Sequence, residues 1–520
     1  MVYNLLTRTI ASLVGLYDPL RAARYLSQQN FFQRGYLAAK TSGPDKKWRV
    51  GKSTGAQENV AAWEKVTNKA RDLARNNPYI VGARRRHRSN IISEGVWPRP
   101  KILLPGAKSK FELAVDLNTD ILRRWEEWAP RAGSNGDTLY QIQRTAANHF
   151  FDDGQFLLRR VYKRNPARLE IQLLECDHLD AARDRLSSPG INKIVGGIEL
   201  DEYGRPLAYW LLPEHPAENY SNSIRVPAEE IIHVFDRQRA SDVTGICGYA
   251  SVVQSVFRIN EYAYSTMDTA RLVNHFGVWI ESPYVQDFQQ ITPSDITEAE
   301  VGEGRREYIT PAGFHYGLPG EKASTMNPAI PGSQYGPFMT KELQTTSVGA
   351  GVGYESVSHD GSQTNFAGSR ALLIIERGYT RMNLAIFEEQ MHSKLYKWFI
   401  EFENSLVSKP LQMPNYNNDK MRYLRVKFNR PVQEWVDPQK DIAARGERIR
   451  LRLSTETDET EDSGKDIEEV YATLAYEKLL REKLGLNPIE EKQPEGQPEE
   501  ELTIEEEEET IGENINKWLK

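Results

Sequence analysis

An α+β architecture is expected from three features of the sequence. Helical periodicity dominates up to Phe151, and a strand-rich block follows between residues 155 and 235. Two very long proline-free stretches, 249–276 and 369–404, then read as helices; the second holds only Gly378. With 520 residues the chain exceeds one ordinary core, and about three domains is the length-based expectation.

Residues 1–58 read as a basic arm, with Gly43, Pro44, Gly51 and Gly55 among Lys46, Lys47 and Lys52. From Asn59, the spacing of Val60, Trp63, Val66 and Leu73 predicts a helix, which Asn76 and Asn77 stop. Pro78 suits the first turn of the next helix, which runs to about Ser93. Two further helices are predicted over 111–128 and 137–151, with Asp137 as the N-cap of the second. Strands are predicted over 156–162, 169–174 and 231–235, and 194–200 with 206–212 reads as a hairpin turning at 201–204. After the helix at 249–276, residues 281–335 are rich in Pro and Gly and should form short strands and loops. A short helix fits 341–348, ended by the Gly-rich run 349–353, which reads as a hinge. Residues 354–368 are polar and loop-like, and the second long helix begins at Ser369. A strand at 423–428 and a helical pair at 441–453 and 466–484 complete the ordered part. Beyond Pro488 the Glu/Pro-rich sequence reads as disordered.

Charge is polarised along the chain. Residues 1–110 carry 21 Lys/Arg against 6 Asp/Glu, and residues 490–520 carry 12 Glu against 3 Lys. The first imbalance suits a polyanionic partner; the second is a solvated tail. No run of roughly 18 apolar residues appears, so no membrane span is expected, and the opening segment, interrupted by Arg8, does not read as a signal peptide. Cys176 and Cys247 form no CxxC pair, which argues against disulfide scaffolds and zinc fingers and fits a reducing compartment.

Catalytic chemistry finds little support. The nine histidines are scattered with no HxxxH or HExxH spacing, and Gly349, Gly351 and Gly353 are not followed by GKS/T. His359, Asp360 and Ser362 are neighbours in sequence, but adjacency in a polar loop supplies neither a relay nor an oxyanion hole. Asp152 and Asp153 could hold a nuclease metal, yet a helix-to-strand turn explains them as well. The run Arg84, Arg85, Arg86, His87, Arg88 spreads four arginines around a helix, leaving phosphate contact and salt bridging within or between subunits as alternatives.

Four stretches together resemble the lambda-type portal proteins of tailed bacteriophages. They are KARDLARNNPYIVGARRRHRSNIISEG from Lys69, IIHVFDRQRASDVTGICGYASVV from Ile231, VGAGVGYESVSHDGSQTNFAGSRALLIIERGYTRMNLAIFEEQ from Val348, and WVDPQKDIAARGERIRLRLST from Trp435. The third is similar to the family pattern GVxYExLSxDxSxxNYSSxRA, with Phe366 for the usual Tyr and Ala367 and Gly368 for serines. The resemblance implies a ring, usually of twelve copies, at one capsid vertex, with double-stranded DNA entering and leaving through its channel. Implied partners are the terminase large subunit, a head–tail adaptor, and the major capsid and scaffold proteins. No enzyme activity, cofactor, metal or membrane is implied, and the expected location is the virion, with the host cytoplasm during assembly.

By segment, the resemblance implies a wing at 59–248, stem helices at 249–276 and 336–352, a clip at 277–335, a tunnel loop at 353–368, a long helix and wing return at 369–436, and a crown at 437–486. The N-terminal arm and the tail at 487–520 stand outside it. DNA must pass without being clamped, because each phosphate neutralised by Lys or Arg adds salt-dependent affinity. The expected channel residues are therefore Glu355, Asp360, Ser362, Gln363, Thr364 and Asn365 of the loop, with Lys341 and Arg370 as sparse basic contacts. Arg84, Arg85, Arg86 and Arg88 are expected to touch DNA or a neighbouring subunit, and Glu298, Glu300 and Glu303 to dock a clip partner. The alternatives are a nucleic-acid-binding protein that forms no ring, or a phage nuclease.

Overall fold

A computed structural model describes residues 52–107, 112–164, 167–186, 188, 190–218, 221–275, 279–281, 322–324, 332–362, 365–406, 410–432 and 438–486. The basic arm up to residue 51, most of the segment 277–331 and the tail from 487 lie outside the described residues. The chain divides into two compact units, one of Met1–Glu58 with Arg239–Asp242 and one of Asn59–Gln238 with Val243–Lys520. In the small unit, Arg239 pairs with Glu58 at 3.0 Å and donates to the Ser53 carbonyl, while the Gly55 amide donates to Ser241 Oγ at 2.9 Å.

The architecture mixes helices and antiparallel sheets, as the α+β expectation requires. Helix α1 (Gly55–Asn76) and α2 (Pro78–Ile91) break at Asn77, whose side chain caps α2 by accepting from the Ile80 amide at 3.0 Å. The amphipathic helices α3 (Val115–Trp128) and α4 (Leu139–Asp152) follow the short strand β1 (Pro98–Pro100). The cap of α4 is Thr138, not Asp137: Thr138 and Gln141 form a reciprocal capping box, while the Asp137 side chain accepts from Asn135.

Strands β2 (Gln155–Arg164), β3 (Ala167–Leu174) and β8 (Ile231–Phe235) form a sheet in the order β3-β2-β8, with Phe156 opposite Val234 and Leu157 opposite Leu174. A second sheet runs β4 (Lys193–Val195), β5 (Ile198–Leu200), β6 (Pro206–Leu211) and β7 (Ile224–Pro227). The strand expected over 194–200 is thus two strands. Gly196 and Gly197 turn the chain between them with φ of +55° and +79°.

Helix α5 (Val253–His275) pairs with α6 (Tyr335–Ala350), Tyr262 stacking on Tyr335 at 5.6 Å near one end of the pair. Helix α6 begins before Lys341, because Pro337 is tolerated in a first turn. Between them lie β9 (Trp279–Glu281) and β10 (Lys322–Ser324), an antiparallel pair in the region expected to hold short strands.

The stretch 354–368 is less loop-like than its composition suggests. A helical turn α7 (Tyr354–Ser358) occupies its start, and α8 (Phe366–Phe387) begins inside it, capped by Asn365. A π-helical turn, Glu388–His392, joins α8 to α9 (Ser393–Ser405), so the second long helix is continuous but locally wider. The expected strand at 423–428 divides into a short helix α10 (Lys420–Tyr423) and β11 (Val426–Phe428), which pairs with β1. Tyr423 is fully buried and donates to the Pro414 carbonyl, which holds it on the turn. Helices α11 (Pro438–Arg450), α12 (Glu456–Asp462) and α13 (Ile467–Leu484) follow; α12, capped by a Thr455–Asp458 box, was not legible as a separate element.

The core gathers α2, α3, α4, α9 and the first sheet around Trp125, Trp128, Phe399 and Phe387. A close backbone approach lies where α4 turns into β2. Gly154 has φ of +82°, and a Cβ there would lie 2.0 Å from the Ile246 carbonyl carbon. Gly154→Ala is therefore expected to destabilise the fold by about 2–4 kcal/mol in chemical denaturation, combining left-handed strain with a backbone clash.

Candidate functional site

The segment of interest is the polar stretch that begins after α6, and its geometry is set from below. Gly351 ends α6 in the left-handed conformation, φ +72°, its amide donating to the Ser347 end of the helix. Gly349 lies against the chain just before α5: a Cβ there would sit 2.3 Å from Val252 Cγ1. The Gly-rich run read as a hinge is thus a helix cap and a close contact with the turn that leads into α5.

A buried carboxylate then fixes the start of the stretch. Glu376 of α8 is 4% exposed and accepts four hydrogen bonds. Arg86 Nε and Asn90 Nδ2 of α2 donate to Oε1 at 2.5 and 3.0 Å. The Gly353 amide and Ser356 Oγ donate to Oε2 at 3.1 and 2.9 Å. Burial opposes the charge, but these donors, Arg86 foremost, outweigh it and hold the carboxyl below the usual range. Asn90 also donates to Thr380 Oγ1, one turn further along α8.

His87 provides a second tie. Its ring stacks on Phe151 at 4.1 Å, and its Nε2 lies 2.8 Å from the Ala350 carbonyl. A carbonyl only accepts, so Nε2 carries the proton. Burial lowers the pKa to about 4, keeping the ring neutral.

The residues expected to face a channel separate into distinct environments. Glu355 lies on α7, half-buried. Asp360 accepts from Tyr354 Oη at 3.2 Å and from the Ser362 amide at 3.0 Å. Bonds from Ser362 and then Tyr354 hold the Asp360 carboxyl below its ordinary range. His359 makes no bond to Asp360 among the described contacts, so the adjacent His, Asp and Ser form no relay. Ser362 is exposed, and Asn365 accepts from the Gly368 amide as the cap of α8. Gln363 and Thr364 lie outside the described residues, as do Glu298, Glu300 and Glu303. Lys341 is exposed on α6 and has no ion pair among the described residues. Arg370 is held at 3.1 Å by Asp441 of α11.

The arginine run divides as well. Arg84 pairs with Asp152 at 3.0 Å and Arg86 with Glu376, while Arg85 is exposed and Arg88 half-buried. Asp153 is fully buried and binds Arg71 at 2.7 Å and His149 at 2.7 Å. Burial opposes its charge; His149 and Arg71 outweigh it and keep the carboxyl low. Burial raises Asp152 to about 6 against the pull of Arg84. Both carboxylates of the possible nuclease pair are therefore engaged by cationic side chains. Glu175, Asp177 and His215 converge closely enough to ligate a metal, but Arg71 already reaches Glu175 at 3.3 Å and Asp177 at 2.6 Å.

Glu376 was the residue that pattern reading passed over. It directly follows the apolar run Ala371–Ile375 of α8, and an acid at the end of such a run is the available signal.

Comparison with known proteins adds the family. Residues 41–383 match the model described as phage portal protein, lambda family. The match starts within the basic arm and ends inside α8, so the fourth resembling stretch lies beyond it. A probable portal protein of Halomonas phage phiHAP-1 is 24% identical over 448 residues, covering 82% of each chain. The portal protein of Escherichia phage N15 is 21% identical, covering 81% of this chain and 85% of its own. Among solved structures, the chain is similar to one from the neck of a native GTA particle computed with C12 symmetry. That similarity has 12% identity and a TM-score of 0.42 over 81% of this chain and 94% of that one. A chain from the virion of a native gene transfer agent particle gives 11% identity and a TM-score of 0.44 over 84% and 100%.

Glu376→Gln removes the charge but keeps the shape. It is expected to lower stability at pH 7 by about 1.5–3 kcal/mol, the range for hydrogen bonds to a charged group. The folded-state pKa of Glu376 is depressed, so its contribution is complete above the unfolded value of about 4.3 and is lost as pH falls through the lower folded value. Denaturation curves of the two proteins should therefore converge progressively as the pH falls below the unfolded value, through the lower folded one.

Proposed function

This chain belongs to the lambda family of phage portal proteins, and on that premise we propose that it forms a ring at one vertex of a phage capsid through which duplex DNA is packaged and ejected. The observation that carries the proposal is the family match over residues 41–383, which spans the long α5, the α6–α7 corner and the entry of α8. The reading assigns the wing to 59–248, the paired stem helices to 249–276 and 336–352, the clip to 277–335 and the tunnel loop to 353–368. The wing return falls at 369–436 and the crown at 437–486. The protein then acts as a conduit and assembly platform and catalyses no reaction. Its partners are the terminase large subunit, a head–tail adaptor, and the major capsid and scaffold proteins. Its place is the virion, reached from the host cytoplasm.

Two features of the fold support this reading. The aromatic contacts between α5 and α6, with Phe338 also 5.0 Å from Tyr262, keep two long helices side by side, as a stem requires. Exposed apolar side chains are concentrated on helices: Phe257, Tyr264 and Met267 on α5, Ile374, Ile375 and Met382 on α8, and Leu474 and Leu479 on α13. Surfaces of that kind suit burial against neighbouring copies in a closed ring. Within the loop, residues 353–362 hold Glu355 and Asp360 but no Lys or Arg, a composition that touches DNA without gripping it.

Electron microscopy with native mass on the same purified sample tests this reading. Twelve copies of the 59.4 kDa chain would weigh about 713 kDa and show a central hole. Monomers at every protein and salt concentration would remove the ring. Deletion of residues 354–366 is expected to abolish DNA packaging while rings still form; full packaging by that variant would overturn the loop assignment.

A further inference from the structure

The arginine run of α2 leaves two of its members unaccounted for, and the packing of α2 on α4 shows where they lie. The two helices run antiparallel. Arg84 meets Asp152 at the end of α4, whereas Gly95 and Val96, just beyond α2, meet Tyr140 and Gln143 at its start. The Gln143 side chain fixes this register twice, accepting from the Val96 amide and donating to the Val96 carbonyl. Position 88 therefore lies opposite the middle of α4, beside Arg144. No carboxylate pairs with Arg85, Arg88 or Arg144 among the described residues, in contrast to Arg84 and Arg86. Arg85 and Arg144 are exposed and Arg88 is half-buried. Burial, then Arg144 and Arg84, disfavour the charge on Arg88; Tyr140 acts the other way, and Arg85 adds a smaller unfavourable influence.

We propose, resting on the reading of this chain as a DNA-passing portal, that Arg85, Arg88 and Arg144 form a binding site for the phosphate backbone of duplex DNA. Like charges held together on two packed helices create a local field that an anion relieves. The groups are guanidinium forks, which match phosphate oxygens in pairs. Arg85 and Arg88 are three residues apart on one helix, so their side chains emerge about 5–6 Å apart, on the scale of neighbouring phosphates along one strand. The site is also separate from the loop. The Glu376 clamp uses the Arg86–Asn90 side of α2, and Arg85 and Arg88 project from a different side of the helix. Holding DNA and letting it slide are thereby assigned to different residues of each subunit.

The test is duplex binding by the full chain in its assembled form, read by fluorescence anisotropy of a labelled DNA across a KCl series. The triple variant Arg85→Gln, Arg88→Gln, Arg144→Gln is compared with a charge-matched control, Arg131→Gln, Arg205→Gln, Lys478→Gln. The site predicts that the slope of log affinity against log salt shrinks by about 0.9 for each contact removed, roughly 2.7 for the triple variant. Affinity at low salt should fall at least about ten-fold, while the control keeps the wild-type slope and both variants keep the wild-type native mass. The single exposed change Arg85→Gln should lower the slope by about 0.9 on its own. An unchanged slope in the triple variant overturns the site. Loss of assembly in the triple variant with the slope of Arg85→Gln unchanged also overturns it, and assigns the patch to a neighbouring copy's carboxylates. A wild-type ring that does not bind duplex DNA overturns this site while leaving the ring intact. A monomeric wild type whose DNA binding depends on the three arginines keeps the site and overturns the ring instead.

Discussion

A single buried carboxylate organises the part of the molecule that matters most for its proposed role. Glu376 is removed from water, so its charge is tolerable only if donors surround it. Those donors come from three places: Arg86 and Asn90 on α2, the Gly353 amide at the corner after α6, and Ser356 on α7. Satisfying the charge therefore fixes the relative positions of α2, α8 and the first turn of the stretch assigned as the tunnel loop. His87 reinforces the arrangement from the neighbouring face of α2 by tying the end of α6 through the Ala350 carbonyl. The stretch proposed as the tunnel loop is then anchored at its base and polar beyond it, with Asp360 ordering only its local turn.

Charge is distributed in the same spirit. Arg84 and Arg71 hold Asp152 and Asp153 where α4 turns into β2, next to the close approach of Gly154 to Ile246. Arg86 serves the clamp. Arg370, expected to be a basic channel contact, is engaged by Asp441. Among the described residues, Lys341 on α6 and the cluster Arg85, Arg88 and Arg144 on the α2–α4 surface have no ion pair, and residues 353–362 carry no Lys or Arg. Among the described residues, the arginine run of α2 thus divides into members that build the fold, Arg84 and Arg86, and members without a carboxylate partner, Arg85 and Arg88.

Much of the fold was legible because it depends on local rules. The break at Asn77–Pro78, the strand at 231–235 and the long helices expected at 249–276 and 369–404, which start at Val253 and Phe366, follow from caps, alternation and the absence of proline. The errors have equally local causes. Gly196–Gly197 split a strand that composition joined, a Thr138–Gln141 box displaced the cap from Asp137, and α7 formed in a segment too polar to suggest a helix. The candidate site was only half legible. A motif could mark the stretch near 353–368, but Glu376 acquires its role from contacts to residues 20 to 290 positions away, and no sequence window spans them. The partition of the arginine run likewise depends on Asp152 and Glu376 being brought to two of its members by packing.

The base of the proposed tunnel loop is held as part of the core by the Glu376 clamp and is not a free hinge. Amide hydrogen exchange on the full chain measures this directly, at Gly353 and at residues 354–358. Protection at Gly353 comparable with that of the β2 amides is expected, together with its selective loss in Glu376→Ala while β2 stays protected. Exchange of the Gly353 amide in the wild-type protein at the rate of an unfolded chain would contradict it.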